Sequence, residues 1–259
     1  MKSLNRKLFL ILPGLVLAVG VMARDKPWTQ WTDKDAKKIL NDSGWGQTQT
    51  FIGSAYNPVI RPDGTTAIST NYPELGGVNY RVRFLSAKPI RQALLRLVQL
   101  DPKATPEQTE KAQRFVDAKY DQVVVIAASY DQDGLLKDPD FTMPVFQAFS
   151  GGTTSTLKNN TYLDIKGGRR VFLQEYRPPS GDGMGAIFIF PRIVDGKPIL
   201  NPKSGEVRFY VEFPKLGTAG LGITTNEQQV RLNVRFKVSD MMHDGVLETN
   251  RKNELPFDW

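Results

Sequence analysis

No cysteine occurs anywhere in the 259 residues. That absence excludes disulfide bonds, thiolate nucleophiles, cysteine-based zinc sites, iron–sulfur clusters and a lipid-modified cysteine anchor. Histidine is almost as scarce, with His243 the sole example. Zinc sites draw on several His or Cys ligands, so no metal site and no cofactor is expected. A Ser-His-Asp apparatus would have to use His243 itself, which sits in residues 239–245, read as a surface turn after a strand. No catalytic residue is therefore assigned. A strong excess of one charge sign is also missing. The formal charge of +7 includes Lys2, Arg6 and Lys7 near the N-terminus, which leaves +4 for the remainder. So small and dispersed an excess does not point to nucleic acid, although it suits weak attraction to anionic envelope polymers. Internal repeats of solenoid length are absent too.

What is present begins at the N-terminus. Lys2, Arg6 and Lys7 precede an apolar run of 15 residues, 8–22, and Val21-Met22-Ala23 offers a small-x-small site. Pro13-Gly14 interrupts the run, which also falls short of the roughly 20 residues that a membrane span needs. The expectation is a signal peptide over residues 1–23, cut before Arg24, with no transmembrane span after cleavage. Removing 23 of 259 residues leaves 236, read as a single domain over 24–259. A chain of that length buries roughly 70–75% of its unfolded surface and needs no disulfide staples. An exported chain without cysteine fits a bacterial envelope, periplasmic or extracellular, better than a small secreted eukaryotic domain.

The first predicted helix follows Thr32, where Thr32 and Asp35 form a capping box and Ala36, Ile39 and Leu40 a narrow apolar stripe. Trp28, Trp31 and Trp45 flank it, either as an aromatic platform for a ligand or as rings that pin the helix to the body. Residues 46–78 read as loop with edge strands near 49–56 and 65–70. Tyr80, Val82 and Phe84 alternate with Arg81 and Arg83, a half-buried strand. Ile90, Ala93, Leu94, Leu97 and Val98 define a helix over 88–100, and Thr105-Pro106-Glu107 opens another that runs to about 119. Residues 123–128 are uniformly apolar, as in a strand covered on both faces. Further strands are expected at 160–166, 169–177, 185–194, 206–213 and 229–239, joined by Gly- and Pro-rich turns. The fold class is α+β: an antiparallel sheet, sandwich-like or strongly curved, covered by two or three helices.

Strict alternation over 206–213 and 229–239 puts one face of that sheet in the core and the other in water. The wet face would carry Arg208, Tyr210, Arg231, Arg235 and Lys237, joined by Arg81 and Arg83 of the earlier strand. Such a face suits an anionic partner, whether lipid headgroups, an acidic glycan or a carboxylate. The same residues also suit a solvated strand face on which Glu206 and Glu212 pair across strands. The candidate binding residues are therefore Arg208, Tyr210, Arg231, Arg235 and Lys237, with Trp28 and Trp31. Asp131-Gln132-Asp133-Gly134 lacks the glycine and glutamate spacing of a calcium loop and reads as a solvated turn. Residues 216–222 and 150–156 are glycine-rich, and neither has the strand–turn–helix setting of a phosphate cradle. Glu175 falls on the Val171–Leu173 face of the expected 169–177 strand, a half-buried setting that favours a protonated carboxyl, with Arg170 and Arg177 as ion-pair partners. The terminal Leu255-Pro256-Phe257-Asp258-Trp259 alternates like a barrel signal, but Pro256 spoils a membrane strand.

Several pieces, among them Lys26-Pro27-Trp28-Thr29-Gln30-Trp31, Arg83-Phe84-Leu85-Ser86-Ala87-Lys88-Pro89, Lys158-Asn159-Asn160-Thr161-Tyr162-Leu163 and Glu175-Tyr176-Arg177-Pro178-Pro179, resemble a family of uncharacterised exported proteins from environmental bacteria. The resemblance spans most of the chain after residue 23. It implies export and a single domain, and it carries over no activity and no site residue. The functional expectation is a non-enzymatic envelope protein that binds an anionic ligand or an envelope protein. The alternative is a metal-independent hydrolase of envelope or extracellular glycans, working with carboxylates and using Glu175 as its acid.

Overall fold

Local signals set the helices as α1 (Asp33–Asn41), α2 (Lys88–Leu100) and α3 (Pro106–Asp117). The computed structural model describes residues 26–52, 58–60, 66–68, 77–133, 139–167, 169–214, 230–243 and 246–247. The expected signal peptide, the 216–222 loop and residues 255–259 lie outside the described residues. Thr32 caps α1, accepting from the Asp35 N–H at 3.2 Å while Asp35 Oδ2 accepts from the Thr32 N–H at 3.0 Å. Thr105 and Gln108 repeat this reciprocal cap on α3. The burial of α2 differs from the expected stripe. Its first half is buried nearly all round, Arg91 and Gln92 included, whereas Leu94, Leu97 and Val98 are only half-buried. Two further helices, α4 (Pro139–Gly151) and α5 (Thr154–Leu157), were not anticipated. No helix among the described residues is long and apolar enough to cross a membrane.

Among the described residues, nine strands build two antiparallel sheets. One holds β1 (Gly46–Ile52), β4 (Gly77–Phe84), β5 (Val123–Asp133), β8 (Glu175–Arg177) and β9 (Ala186–Pro191) in the order β1-β4-β5-β9-β8. The other holds β6 (Thr161–Ile165), β7 (Arg169–Phe172), β12 (Glu206–Glu212) and β13 (Arg231–Lys237) in the order β13-β12-β6-β7. Three short hairpins complete the set: β2 (Pro58–Ile60) with β3 (Thr66–Ile68), β10 (Ile193–Val194) with β11 (Lys197–Pro198), and β14 (Met242–His243) with β15 (Val246–Leu247). His243 thus lies in a two-residue strand rather than a turn, and Asp131 and Asp133 end β5 rather than forming a loop.

The inner faces of the two sheets meet through aromatic rings. Phe84 of β4 sets its ring edge-on to Phe236 of β13 at 4.8 Å, and Phe188 of β9 does the same to Phe209 of β12 at 5.1 Å. Phe149 of α4 enters between the sheets and stacks on Phe213 at 5.0 Å, with the edge of Tyr130 at 5.5 Å. At one side the sheets touch, where the Asn233 N–H of β13 donates to Gln49 Oε1 of β1 at 2.9 Å. The result is the expected α+β architecture, with the sheets facing one another as a sandwich and residues 124–128 of β5 buried at every position. Buried residues from Trp31 to Leu247 form one hydrophobic cluster.

The expected strand 169–177 is in fact two strands in different sheets. Burial alternates through Val171 and Leu173, then shifts parity so that Tyr176 is buried and Glu175 is not. The chain leaves β7 at Phe172 and joins the other sheet at Glu175, so Glu175 and Arg170 belong to different sheets.

Candidate functional site

The outer face of the four-stranded sheet is where alternation leaves polar and aromatic side chains. β12 is buried at every second residue and β13 alternates exposed with buried along its whole length. Arg208, Tyr210, Arg231, Arg235 and Lys237 therefore do share one face, as expected. The register adds residues from β6 and β7. One row across the strands reads Asn233, Tyr210, Tyr162 and Phe172; the neighbouring row reads Arg235, Arg208, Asp164 and Arg170.

The rings of the first row stand on the sheet and stack sideways. Tyr162 and Tyr210 lie 4.9 Å apart and within 18° of parallel, and Phe172 presents its edge at 6.0 Å from Tyr162. The Arg170 guanidinium covers the other face of Tyr162, with Cζ 4.0 Å from the ring centroid, a cation–π contact. Tyr162 is thus held between a ring and a cation. Phe172, at the edge strand, stays 48% exposed.

The charges of the second row are partly matched. Arg208 donates to Asp164, the acid that faces it on β6. Glu212 accepts from the Tyr210 hydroxyl and pairs with Arg231 at 3.3 Å. Burial, the hydrogen bond to Glu212 and that acid's charge together raise the Tyr210 phenol above its ordinary pKa, so it donates at any neutral pH. Arg235 reaches Glu206 only at 3.9 Å, with its side chain 66% exposed, a contact of little strength. Arg170 and Lys237 form no ion pair among the described residues, although each faces an acid in register, Asp164 and Glu206. Five cations against three acids leave the face positive.

The remaining candidates lie elsewhere. Trp31 is 5% exposed, its indole N–H donates to Lys26 O at 3.2 Å, and its own carbonyl accepts from Arg96 of α2. Trp28 packs half-buried against the core and Trp45 is buried with its indole on Met241 O at 3.0 Å. These rings pin the N-terminal helix to the body and form no platform. Arg81 and Arg83 sit in the other sheet, on the outward side of β4. Arg81 grips Asp131, with Nε at 3.0 Å from Oδ1, and Arg83 donates to Leu40 O and Asn41 Oδ1 at the end of α1. Glu175 is half-buried, 45% exposed at its side chain, and bound by Arg177 at 2.6 Å, while Arg170, the other expected partner, lies in the other sheet.

Sequence reasoning missed four members of the face: Tyr162, Asp164, Arg170 and Phe172. The signal was available, because Lys166-Gly167-Gly168 separates two short alternating stretches as a hairpin does. The continuous reading of 169–177 hid Arg170 and Phe172, while Tyr162 and Asp164 lay in an expected strand whose neighbours only the register reveals. Two buried guanidiniums were also unforeseen. Arg91 donates to four backbone carbonyls, those of Leu85, Ser86, Val116 and Ala118, and stacks over Tyr120 at 4.8 Å. Arg192 donates to Val123 O, and burial pushes its guanidinium down to about 10, still protonated at neutral pH. Both are consumed by backbone carbonyls, Arg91 at the ends of β4 and α3 and Arg192 at the start of β5. No group of three or more His, Cys, Asp or Glu able to hold a metal occurs among the described residues. No protein-family model, curated protein or solved structure matches the chain.

Proposed function

We propose that this chain is an exported, non-enzymatic binding domain of a bacterial envelope, and that it takes an anionic ligand on the outer face of the four-stranded sheet. The observation that carries the reading is Arg170. Its guanidinium is held over the Tyr162 ring, with Cζ 4.0 Å from the centroid, exposed, with no carboxylate bonded to it among the described residues. A cation held in place but not neutralised loses little side-chain entropy when an anion arrives. Lys237 and the weakly paired Arg235 extend the positive ground across the sheet. Export rests on the N-terminal Lys2, Arg6 and Lys7, the short apolar run and the Ala23 site.

The test is retention on an immobilised polyanion at low salt. The combined variant Arg170→Gln, Arg235→Gln, Lys237→Gln is expected to lose about tenfold in affinity, or about 1.4 kcal/mol. Arg114→Gln, an exposed partner of Glu110 on α3, should leave binding unchanged. Equal loss in both would show that overall charge, not this face, does the binding. For export, the N-terminus of protein recovered from outside the cytoplasm should be Arg24; an intact Met1 would sink that part.

A further inference from the structure

The same face narrows the class of anion. Resting on the binding reading above, we infer that the ligand is an acidic polysaccharide laid across the strands from β13 to β7, beside the ring row and ending against Phe172. Three properties of the face lead there.

Direction is the first. The cations and the rings lie in adjacent rows across the strands, cations on β13, β12 and β7 and rings on β12, β6 and β7. Strands lie about 4.8 Å apart, so the row from β13 to β7 spans about 14 Å, enough to engage several units of an extended polymer. A small carboxylate would need convergent groups, and these diverge along a line.

Mixed polarity is the second. Asp164, Glu206 and Glu212 alternate with the cations on the sheet. Carboxylates interspersed with guanidiniums repel a uniformly anionic bilayer surface, yet they are the acceptors that sugar hydroxyls need while arginines take the acid groups. A membrane-docking face would also want apolar wedges, and Phe172 is the one large apolar side chain exposed on this face among the described residues.

Ring geometry is the third. Nucleic-acid strands bind by stacking successive bases on open ring faces. Tyr162 has both faces occupied, by Tyr210 and by Arg170. Only Phe172, touching Tyr162 through an edge contact, keeps substantial exposed ring surface. One open ring at the end of a cationic row suits a single sugar ring at the end of a bound stretch.

The experiment uses the protein in its exported form with defined probes: oligogalacturonate, alginate oligomers and chondroitin sulfate as acidic glycans, methyl-esterified oligogalacturonate as the neutral control, and phosphatidylglycerol vesicles. Titration calorimetry is run at about 0.1 M and about 1 M salt, where the Debye length falls from about 10 Å to about 3 Å. The expected result is binding of at least one acidic glycan, lost at high salt, with little response to the ester. Arg170→Gln and Phe172→Ala, both exposed and spared from the core, should each weaken it by about fivefold or more. Arg114→Gln should not. If vesicles bind, Arg170→Gln weakens them and no glycan binds, the polysaccharide inference is overturned while the anionic-ligand reading stands. If neither glycans nor vesicles bind, both are overturned. Glycan binding that ignores Arg170→Gln and Phe172→Ala overturns the placement on this face.

Discussion

Thr161 opens β6 fully buried, and its Oγ1 finds no hydrogen-bond partner among the described residues. A buried hydroxyl left unpaired carries a desolvation cost of about 1–3 kcal/mol. Thr161→Val keeps the branched shape and removes the hydroxyl, so it should stabilise the fold by about 1 kcal/mol. The reading is a higher denaturant midpoint at unchanged slope. A lower midpoint would mean that the hydroxyl is bonded in solution and contributes to the fold. Arg91 is the opposite case, a buried charge fully supplied with carbonyl acceptors. Neither environment can be read from sequence. A threonine in a strand and an arginine on a helix look ordinary until the neighbouring segments are placed around them. The caps at Thr32 and Thr105 were legible because their chemistry is complete within four residues.

Elements whose pattern is internal were legible for the same reason: α2 and α3 from their periodicity, β12 and β13 from strict alternation. The turn from one sheet to the other between Phe172 and Glu175 was not, because the break is a one-residue parity shift inside an otherwise strand-like run. That single shift moves Glu175 to another sheet and returns Arg170 and Phe172 to the candidate face. The face itself was half legible. Its β12 and β13 residues follow from alternation, whereas Asp164 meets Arg208 across 44 residues of sequence, a pairing only the register decides. Helix α4 was hidden by Pro144 and by the Gly151-Gly152 end, which mimic loop composition. Its structural role can be tested within the helix. Phe149 is fully buried between the sheets, while Phe146, three residues earlier, is 55% exposed. Phe149→Ala should cost about 3–5 kcal/mol and Phe146→Ala less than about 0.5 kcal/mol, both read from chemical denaturation. Equal costs would mean that α4 does not plug the sandwich through Phe149.

At the scale of the whole molecule, the sandwich is closed by rings that must stay uncharged. Burial pushes the Tyr80 phenol from its ordinary 10 up to about 12, and it raises Tyr120 and, furthest, Tyr176. Tyr176 also donates to Phe149 O, which ties α4 to β8 through the neutral form of the ring. A phenol whose folded pKa lies above its unfolded value supports the fold fully below pH 10, and that support is lost as pH rises through the folded value. For Tyr80 alone the rise from 10 to about 12 amounts to about 2–3 kcal/mol, and Tyr176 adds to it in the same direction. Stability should therefore hold nearly level up to about pH 10 and collapse between about pH 10 and 12. Tyrosinate absorbance and near-ultraviolet circular dichroism, followed together through that window, distinguish the outcomes. If the core is built as described, Tyr80 and Tyr176 ionise in the same cooperative step in which the tertiary signal disappears. If instead all eight tyrosines ionised near pH 10 with the tertiary signal intact, Tyr80 and Tyr176 would have to be in water. The two sheets could not then be facing each other across them.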